Sequence, residues 1–401
     1  MTANAQTWLD LRPDTGFGIG NLPYGVFSAS GSGPRTGVAI GDLVVDLHAV
    51  TGDDVHGTGS LNAFMARGPQ AWQALRTDLI TWLTDPRHRA RVEPHLVPRG
   101  EVTMHLPIEV ADYVDFYSSQ HHAENLGRMF RPDSEPLTPN WKHLPIGYHG
   151  RAGTVRISGT PVIRPSGQRK APTDDGPTFG PSQRLDIETE VGFVVGTPSE
   201  LGTPVPLSAV PDHVFGVCLV NDWSARDLQS WEYVPLGPFL GKSFLTSVSP
   251  WVVPLAALEA ARMTPPARDP RPLPYLDDAD APWGLDISLE VRLNGELLSC
   301  PPFGQLYWTA AQQLAHMTVN GASLRTGDLY ASGTVSGPQR DQRGSFIELS
   351  WGGKEPLTLA DGTTRTFLED GDVVSITATA PAPDGTRLAF GEVTGRIEPA
   401  R

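Results

Sequence analysis

From about residue 106 onward, apolar residues alternate with other residues in short runs, and this pattern constrains the possible folds most strongly. The clearest run places five apolar residues at every second position: Leu285, Ile287, Leu289, Val291 and Leu293. Such alternation predicts a half-buried strand, and the Asn294-Gly295 pair that follows predicts a hairpin turn. Residues 371–378 and 387–393 predict further strands, so we expect a mainly β fold here.

Frequent, scattered glycine and proline residues support the same conclusion. The 401-residue chain contains 42 glycines and 38 prolines without a fixed period, which favours many short strands and turns. With 39% hydrophobic residues, the chain can bury a sizeable core. One helix is predicted from Tyr307 to Val319, before the capping pair Asn320-Gly321, and the proline-rich residues 263–283 predict an extended surface segment.

The first part of the chain predicts a small separate domain, which we place at residues 1–105. Residues 38–47 predict a hairpin. Pro69 opens an amphipathic helix, in which apolar residues recur three or four positions apart. The polar residues 98–103 predict a linker to a second domain, which we place at residues 106–401.

Charge and cysteine content disfavour several classes of protein. Acidic residues outnumber basic ones 45 to 31, and the net charge of −14 disfavours a nucleic-acid partner, which needs a basic face. No run reaches the roughly 18 apolar residues of a membrane span. The N-terminal segment lacks the basic start and apolar core of a signal peptide. Cys218 and Cys300 are too few for a disulfide framework, so we expect both to be buried and reduced in a cytoplasmic protein.

Several common catalytic signatures are absent from the sequence. It contains no Gly-x-Gly-x-x-Gly segment after a predicted strand, no phosphate-binding loop and no Gly-x-Ser-x-Gly elbow. Neither a nucleotide cofactor nor a serine nucleophile is therefore supported. The remaining candidates for chemistry are carboxylates and histidines.

Four acidic residues deserve consideration as ligands of a cation. Glu188 and Glu190 fall in the predicted strand 185–195, where alternation places them on one face and their charges repel. A solvated outer face is the commoner explanation of such a pair alone. Asp115 and Asp222 stand beside apolar runs, where a carboxylate needs a partner, although each alone is more often a capping or ion-paired residue. Four such oxygen donors would suit calcium or magnesium.

Residues 115–131 carry the densest chemistry of the chain. Ser118 or Ser119 can cap a helix that holds His122. A lone histidine in such a helix is more often structural than catalytic. The adjacent pair His121-His122 also leaves open which of the two is functional.

This segment resembles the signature of the fumarylacetoacetase family, in which an Asp-Phe-Tyr-Ser-Ser run leads to a catalytic histidine in His-Ala-x-Asn. The resemblance extends over nearly the whole chain, in segments 139–151, 221–244, 329–337 and 345–351. Residues 1–105 are similar to the N-terminal lobe of full-length members. Departures are small: His121 precedes the expected histidine, and the loop 338–343 is not diagnostic.

The resemblance implies a role for each candidate residue. His122 is implied as the base that activates water, and Glu348 as the carboxylate that orients it. The implied metal ligands, for calcium or magnesium, are Asp115, Glu188, Glu190 and Asp222, with Lys242 and Thr246 near a second, smaller cation. The implied substrate-binding residues are Tyr117, Arg131, Gln229, Tyr233 and Thr334.

The resemblance also implies a fold and a reaction. The family fold is an SH3-like N-terminal barrel followed by a C-terminal mixed β-sandwich roll, a mainly β (α+β) architecture assembled as a homodimer. The implied reaction hydrolyses a carbon–carbon bond of the small molecule 4-fumarylacetoacetate. Its products are fumarate and acetoacetate, in the last step of tyrosine and phenylalanine catabolism.

This reaction accounts for the residue types. A histidine with the ordinary pKa near 6.5 is a competent base when a carboxylate fixes its tautomer, as Glu348 could for His122. A divalent cation that chelates two oxygens of the β-diketone would stabilise an enolate leaving group. Arg131, Gln229 and Lys242 could donate to the oxyanion or to the substrate carboxylates, and their individual roles stay open.

Two rival functions are disfavoured. Another acylpyruvate or β-diketone hydrolase, or a decarboxylase of the same superfamily, usually lacks the N-terminal lobe and the sequence of residues 221–244. A non-catalytic metal-binding protein would keep the acidic residues. It would, however, have no need of His122 beside Glu348.

Overall fold

The computed structural model describes residues 7–401 and is mainly β, with short helices between the strands. The expected α+β class with a mixed C-terminal sheet is confirmed. Residues 1–6, which begin the segment expected to lack signal-peptide features, lie outside the described residues. Among the residues that are described, no helix is both long and apolar enough to cross a membrane.

The N-terminal lobe is built on antiparallel strands. These strands are Tyr24–Ser28, Arg35–Ile40, Leu43–Asp46, Leu96–Pro98 and Thr103–His105. The hairpin predicted at residues 38–47 is confirmed, and Gly41 at its turn has a φ of +57°. The α-helices of the lobe are Leu47–Thr51, Asn62–Met65, Pro69–Thr84 and Arg89–Val92. Pro69 lies in the first turn of its helix, as predicted. Proline is tolerated there because the first N–H groups of a helix have no intrahelical acceptor, so no hydrogen bond is lost.

Residues 98–103, predicted as a linker, belong instead to the sheet of this lobe. A 3-10 turn at Arg99–Glu101 joins two strands, and Thr103–His105 pairs with Tyr24–Ser28. The polar side chains of this segment reflect its exposure to solvent. Strand pairing uses backbone groups, so polarity alone did not distinguish an exposed strand from a linker.

The strands of the N-terminal lobe continue into a large mixed sheet formed by the rest of the chain. Tyr24 lies opposite Val252 and Gly25 opposite Trp251, so both parts share one hydrogen-bonded sheet. Gly25 permits this approach, because a Cβ atom there would lie 2.7 Å from the Trp251 ring. The other strands of this sheet are Tyr113–Phe116, Gly147–His149, Val155–Ile157, Thr189–Val195, Val214–Asp222, Thr246–Val248, Trp251–Pro254 and Leu329–Ala331.

The central strands of the large sheet are buried on both faces. Val191 and Phe193 face a core shared with a second sheet, whereas Val194 faces the core of the N-terminal lobe. Strands of the second sheet are Val162–Ile163, Ser288–Leu293, Glu296–Ser299, Val373–Pro381 and Arg387–Glu398. Burial on both faces explains why Thr189–Val195 and Val214–Asp222 are apolar over most of their length.

Short strand pairs and helices complete the fold. The pairs are Ser166–Arg169 with Thr178–Pro181, Leu185–Asp186 with Ser224–Ala225, Arg262–Met263 with Gly284–Leu285, and Leu357–Thr358 with Thr364–Arg365. The α-helices beyond the N-terminal lobe are Gln120–Phe130, Val210–His213, Arg226–Glu232, Leu240–Ser243, Ala310–Thr318 and Phe346–Leu349. Four of these helices carry side chains of the candidate site.

The strands predicted near the C-terminus are confirmed. Val373–Pro381 pairs with Arg387–Glu398, and the hairpin predicted at Asn294-Gly295 has positive φ at both residues, 51° and 86°. The proline-rich residues 263–283 run largely over the surface, as predicted. Their regular structure is limited to short turns and strand ends.

Two expectations differ from the structure. The helix predicted at Tyr307–Val319 is Ala310–Thr318, because Thr309 caps it and so delays its start. Cys218 is buried as expected, but Cys300 is exposed. Cys300 lies just past the end of Glu296–Ser299, the edge strand of the second sheet.

Candidate active site

Asp115, Glu190 and Asp222 lie on three strands of the large sheet, and Glu188 immediately precedes one of these strands. Oxygen atoms of all four carboxylates lie within 4.8 Å of one another. None of these residues is more than 5% exposed. The fold therefore brings together the four carboxylates that were predicted as metal ligands.

Glu188 reaches this cluster for a different reason from the one predicted. The strand predicted at residues 185–195 is interrupted, and Glu188 lies in the gap before Thr189–Val195. Its N–H donates to Asn221 Oδ1 (3.2 Å), and its carbonyl accepts from the N–H of Asp222 (3.1 Å). These two bonds, rather than strand alternation, hold the Glu188 backbone beside the neighbouring strand.

Two buried cations neutralise part of the cluster. Lys242 Nζ donates to Glu188 and to Asp222 Oδ2 (2.7 Å), and Arg226 Nη1 lies 2.7 Å from Glu188 Oε1. Burial raises the pKa of Glu188, but Lys242 and Arg226 outweigh burial and hold that pKa well below its usual value. Thr246 Oγ1 donates to Asp222 Oδ1 (3.0 Å). Lys242 and Thr246 therefore both contact Asp222.

The remaining carboxylates lack such partners. Asp115 Oδ1 and both carboxylate oxygens of Glu190 are buried without a hydrogen-bond partner among the residues that the structure describes. Burial and repulsion from neighbouring carboxylates raise the pKa of Asp115 and of Glu190 well above the usual value. Carboxylates in this situation take up protons or bind a cation, and an all-oxygen donor set suits a hard divalent cation. The residues present thus fit a metal site.

A buried histidine–glutamate pair forms the second part of the site. His122 lies in Gln120–Phe130, and Ser119 caps this helix by accepting from the N–H of His122 (3.2 Å). His122 Nδ1 lies 2.7 Å from Glu348 Oε2, and both side chains are buried. When Nδ1 donates to Glu348, Nε2 of His122 is the nitrogen that can accept a proton.

Glu348 is surrounded by hydrogen-bond donors. Asn125 Nδ2 donates to Oε1 (2.9 Å), and the hydroxyls of Ser336 and Ser345 donate to Oε2 (2.9 and 2.7 Å). Burial raises the pKa of Glu348, but His122 and the hydrogen bonds outweigh burial and bring the pKa to about 2. Glu348 therefore stays ionised at neutral pH and can fix the orientation of His122.

The pair and the cluster face one cavity of about 460 Å³. The predicted site residues that line it are Asp115, Tyr117, His122, Arg131, Glu188, Gln229, Tyr233, Lys242 and Thr334. Four predicted site residues are not part of this lining but lie beside it. Glu190 and Asp222 complete the carboxylate cluster, Thr246 contacts Asp222, and Glu348 contacts His122. His121 is not among the described residues that line the cavity, which favours His122 as the functional histidine.

The lining offers several polar groups to a ligand. Tyr117 packs edge-on against His122, with 5.4 Å between ring centroids. Thr334 Oγ1 is buried and has no partner within the described part of the chain. Arg131 is exposed and donates from Nη2 to the carbonyl of Pro136 (2.8 Å), which leaves its other N–H groups available to a ligand. Tyr233 lies at the open side of the cavity and is 46% exposed.

The sequence prediction missed three polar residues of the site. Arg226 contacts Glu188 and Asp186, and its Nη2 is buried without a partner among the described residues. Tyr148 OH donates to Asp222 Oδ2 (3.3 Å). Arg226 could have been predicted from the sequence, because it lies four residues after the candidate ligand Asp222 and an arginine there can neutralise a carboxylate. Tyr148 and Asp186 had no comparable signal.

A histidine whose Nε2 can accept a proton and a carboxylate cluster that fits a divalent cation adjoin one cavity, an arrangement typical of hydrolases that activate water. Two family models match the chain: "Fumarylacetoacetase N-terminal" at residues 20–107 and "Fumarylacetoacetate (FAA) hydrolase C-terminal" at residues 112–398. The fumarylacetoacetases of Homo sapiens and Arabidopsis thaliana are 49% and 47% identical to this chain, over 98% of it and 99% of each relative. The chain belongs to the fumarylacetoacetase family.

Solved structures support the fold independently. A fumarylacetoacetate hydrolase from Exiguobacterium antarcticum aligns with a TM-score of 0.57 at 18% identity, over 95% of this chain and 100% of that one. A maleylpyruvate hydrolase from Sphingobium sp. SYK-6 aligns with a TM-score of 0.52 at 16% identity, over 94% of this chain and 100% of that one. At these identities the similarity is one of fold.

Proposed function

We propose that this chain hydrolyses 4-fumarylacetoacetate to fumarate and acetoacetate, in tyrosine and phenylalanine catabolism. One observation carries the proposal: the His122–Glu348 pair and the carboxylate cluster open onto the same cavity. The high identity to fumarylacetoacetases over nearly the full chain supports the same substrate.

His122 acts as the base in this reaction, and Glu348 supports it. Water adds through its oxygen to the ketone carbon of the unsaturated acyl group, while one proton passes to Nε2 of His122. Glu348 stabilises the resulting imidazolium through Nδ1. The bond from that carbon to the neighbouring methylene then breaks, and its electron pair leaves as an enolate. The proton held on Nε2 of His122 then passes to the enolate carbon, which gives acetoacetate and restores the base. The acyl part, now a carboxylate, leaves as fumarate.

Cationic and amide donors stabilise the negative charge that develops. Lys242 lines the cavity with its ammonium group held by two carboxylates. Arg226 also lines it, and within the described part of the chain its Nη2 has no hydrogen-bond partner. Together with Gln229, these groups are placed to donate to the oxyanion. Arg131, Tyr117, Tyr233 and Thr334 are the candidates for binding the rest of the substrate.

Asp115, Glu188, Glu190 and Asp222 would hold a divalent cation, for which their oxygen donors favour calcium or magnesium. When bound, the cation would supply positive charge to the oxygens of the β-diketone and of the enolate. The proposed place of Lys242 and Thr246 near a second, smaller cation rests on the family resemblance. Both residues contact Asp222 and line a second cavity of about 130 Å³.

Turnover measurements test the proposed substrate. Purified protein should consume 4-fumarylacetoacetate, followed by its ultraviolet absorbance, with stoichiometric fumarate and acetoacetate. Acetylpyruvate serves as the comparison substrate for an acylpyruvate hydrolase. A larger kcat/KM for acetylpyruvate than for 4-fumarylacetoacetate would favour the rival function.

We also propose two domains, at residues 1–105 and 106–401, and a cytoplasmic homodimer. Large apolar side chains are exposed around the cavity mouth, with Val234 at 67% and Leu236 at 95%. Such a patch is typical of an interaction surface. Light scattering should give the mass of a dimer, and Val234→Lys should weaken the dimer more than Leu201→Lys, which alters a residue 83% exposed elsewhere. A monomeric mass with full activity would rule out the dimer.

A further inference from the structure

Asp186 is a buried carboxylate that belongs to neither the metal cluster nor the histidine pair. It is fully buried, and each of its oxygens accepts two hydrogen bonds. Oδ1 accepts from the backbone N–H groups of Ile187 (2.7 Å) and Phe346 (2.6 Å). Oδ2 accepts from the N–H of Ile347 (3.1 Å) and from Nε of Arg226 (2.8 Å). Asp186 therefore joins a side chain of the cavity to a second, distant segment.

The partners of Asp186 lie in the two halves of the active site. Arg226 lines the cavity, with its Nε held by Asp186 and its Nη1 beside Glu188. Its Nη2 is buried and has no hydrogen-bond partner among the residues that the structure describes. The N–H groups of Phe346 and Ile347 come from the helical turn that carries Glu348. One carboxylate thus fixes an oxyanion donor relative to the turn that orients His122.

Backbone contacts hold Asp186 firmly in this place. Asp186 lies opposite Ser224 in a short antiparallel strand pair, and the N–H of Arg226 donates to the carbonyl of Arg184 (2.9 Å). The carboxylate and the guanidinium that it binds are therefore set by one local pairing. A side chain held in this way can position its partner within the tolerance that catalysis requires.

We propose that Asp186 is a positioning residue, which holds the Arg226 guanidinium in the geometry that stabilises the oxyanion of the reaction proposed above. Only an ionised carboxylate can accept all four hydrogen bonds. An asparagine has one acceptor oxygen, so its amide nitrogen would face donors where Oδ2 now lies. Asp186→Asn can keep the bonds to Oδ1 and loses the acceptor for Arg226.

Steady-state kinetics of Asp186→Asn test this inference. We expect kcat to fall about 10- to 100-fold with little change in KM, because the donor is needed mainly in the transition state. In an Arg226→Gln background the same substitution should change kcat less than about 3-fold, because the group that Asp186 positions is gone. Equal losses in both backgrounds, or a normal kcat for the single variant, would overturn the inference.

A matched control separates positioning from general stability. Asp278 is also buried and also paired with an arginine, since Arg268 Nη1 lies 2.7 Å from its Oδ1. Asp278→Asn should lower the melting temperature and leave kcat within about 2-fold, because neither Asp278 nor Arg268 is among the described residues that line the active-site cavity. A loss of kcat as large as that of Asp186→Asn would mean that destabilisation explains both.

A second variant and a crystal structure test the inference independently of the proposed substrate. Asp186→Glu retains the charge but moves the carboxylate by one methylene, so it should be as slow as Asp186→Asn. Full activity of Asp186→Glu would show that charge, and not position, matters. A crystal structure of either variant should show the Arg226 guanidinium displaced, and an unmoved Arg226 would overturn the inference even for a protein that does not turn over 4-fumarylacetoacetate.

Discussion

The four carboxylates of the cluster have unequal partners within the protein. Glu188 and Asp222 share the ammonium group of Lys242, whereas Glu190 has no hydrogen-bond partner among the described residues. An unpaired buried carboxylate is costly, so Glu190 depends on a proton or a cation more strongly than Glu188 does. Both glutamates are buried, so the difference between them is set by the cations beside Glu188 and by the carboxylates around Glu190.

Resemblance identified most of these residues, but their supporting contacts could not be predicted. The carboxylates and the His122–Glu348 pair followed from motifs, and the structure brings each group together. Ser336 and Ser345 stabilise Glu348 through tertiary contacts, and serine in such segments has no distinctive pattern. Sequence reasoning therefore reached the groups that do chemistry more readily than the groups that position them.

The adjacent histidines provide a matched pair of variants. His122→Ala should fold normally and lose about 100- to 10,000-fold in kcat, because it removes the proposed general base. His121→Ala should keep most of its activity, because His121 is not among the described residues that line the cavity. Initial rates of both variants, with circular dichroism to check folding, decide between the two histidines. An active His122→Ala and an inactive His121→Ala would reverse the assignment.

The pH dependence of kcat follows from the Glu348–His122 pair. Glu348 has a pKa of about 2, lowered from 4.5, so the stability that its ionised form contributes is present above about pH 4.5 and is lost as pH falls towards 2. Glu348 therefore does not titrate in the neutral range. Activity should instead fall as the solution becomes more acidic while Glu348 is still ionised, because a protonated imidazole cannot accept a proton from water. A rate that stays flat down to pH 5, with the fold intact, would argue against a histidine base.

At the scale of single elements, the spacing of apolar residues predicted where strands and helices occur. It did not predict the residues at which they begin and end. The helix Pro69–Thr84 and the hairpin at Asn294-Gly295 were both recognisable, because proline and glycine act locally. The start of Ala310–Thr318 and the break before Thr189–Val195 were not, because a cap and tertiary hydrogen bonds decide them. The break moves Glu188 out of the strand, yet its carboxylate still joins the cluster.

Gly333 shows how one element depends on close approach to another. It follows the strand Leu329–Ala331 with a φ of +75°, and a Cβ atom there would lie 2.1 Å from the carbonyl oxygen of Phe116. Gly333→Ala should therefore displace the strand that carries Asp115, and kcat should fall by on the order of 10-fold or more. The fall should be accompanied by a lower melting temperature.

Gly31→Ala is the control for this substitution. Gly31 has a similar φ of +78°, but a Cβ atom there would meet no atom within 4 Å. The control should lose about 1 kcal/mol of folding stability, the cost of placing alanine in the left-handed region, and should keep its kcat. Normal kinetics of Gly333→Ala would show that the contact with Phe116 does not position the site.

At the scale of the whole molecule, one sheet connects the N-terminal lobe to the rest of the chain. Tyr24 and Gly25 pair with Val252 and Trp251, and the central strands are covered on their two faces by different cores. The mainly β class could be predicted from the sequence. The continuous sheet could not, because pairing between distant strands leaves no local pattern.

Removal of divalent cations should affect stability as well as activity. A cation that binds only the folded state adds about 2.7 kcal/mol when its concentration is 100 times its dissociation constant. Exhaustive chelation should therefore lower the melting temperature and abolish turnover, and calcium or magnesium should restore both. Asp222→Ala should no longer respond to cations, whereas Asp278→Asn should respond normally, because only Asp222 belongs to the cluster. Unchanged stability of protein shown to be metal-free would contradict the four-carboxylate site.

The central claim is that water, activated at the active site, adds to the acyl carbon of 4-fumarylacetoacetate. Turnover in oxygen-18 water, with mass spectrometry of both products, tests this claim most directly. The account predicts one labelled oxygen in the new carboxylate of fumarate and none in the carboxylate of acetoacetate. Unlabelled fumarate, or label gained by the carboxylate of acetoacetate instead, would contradict it.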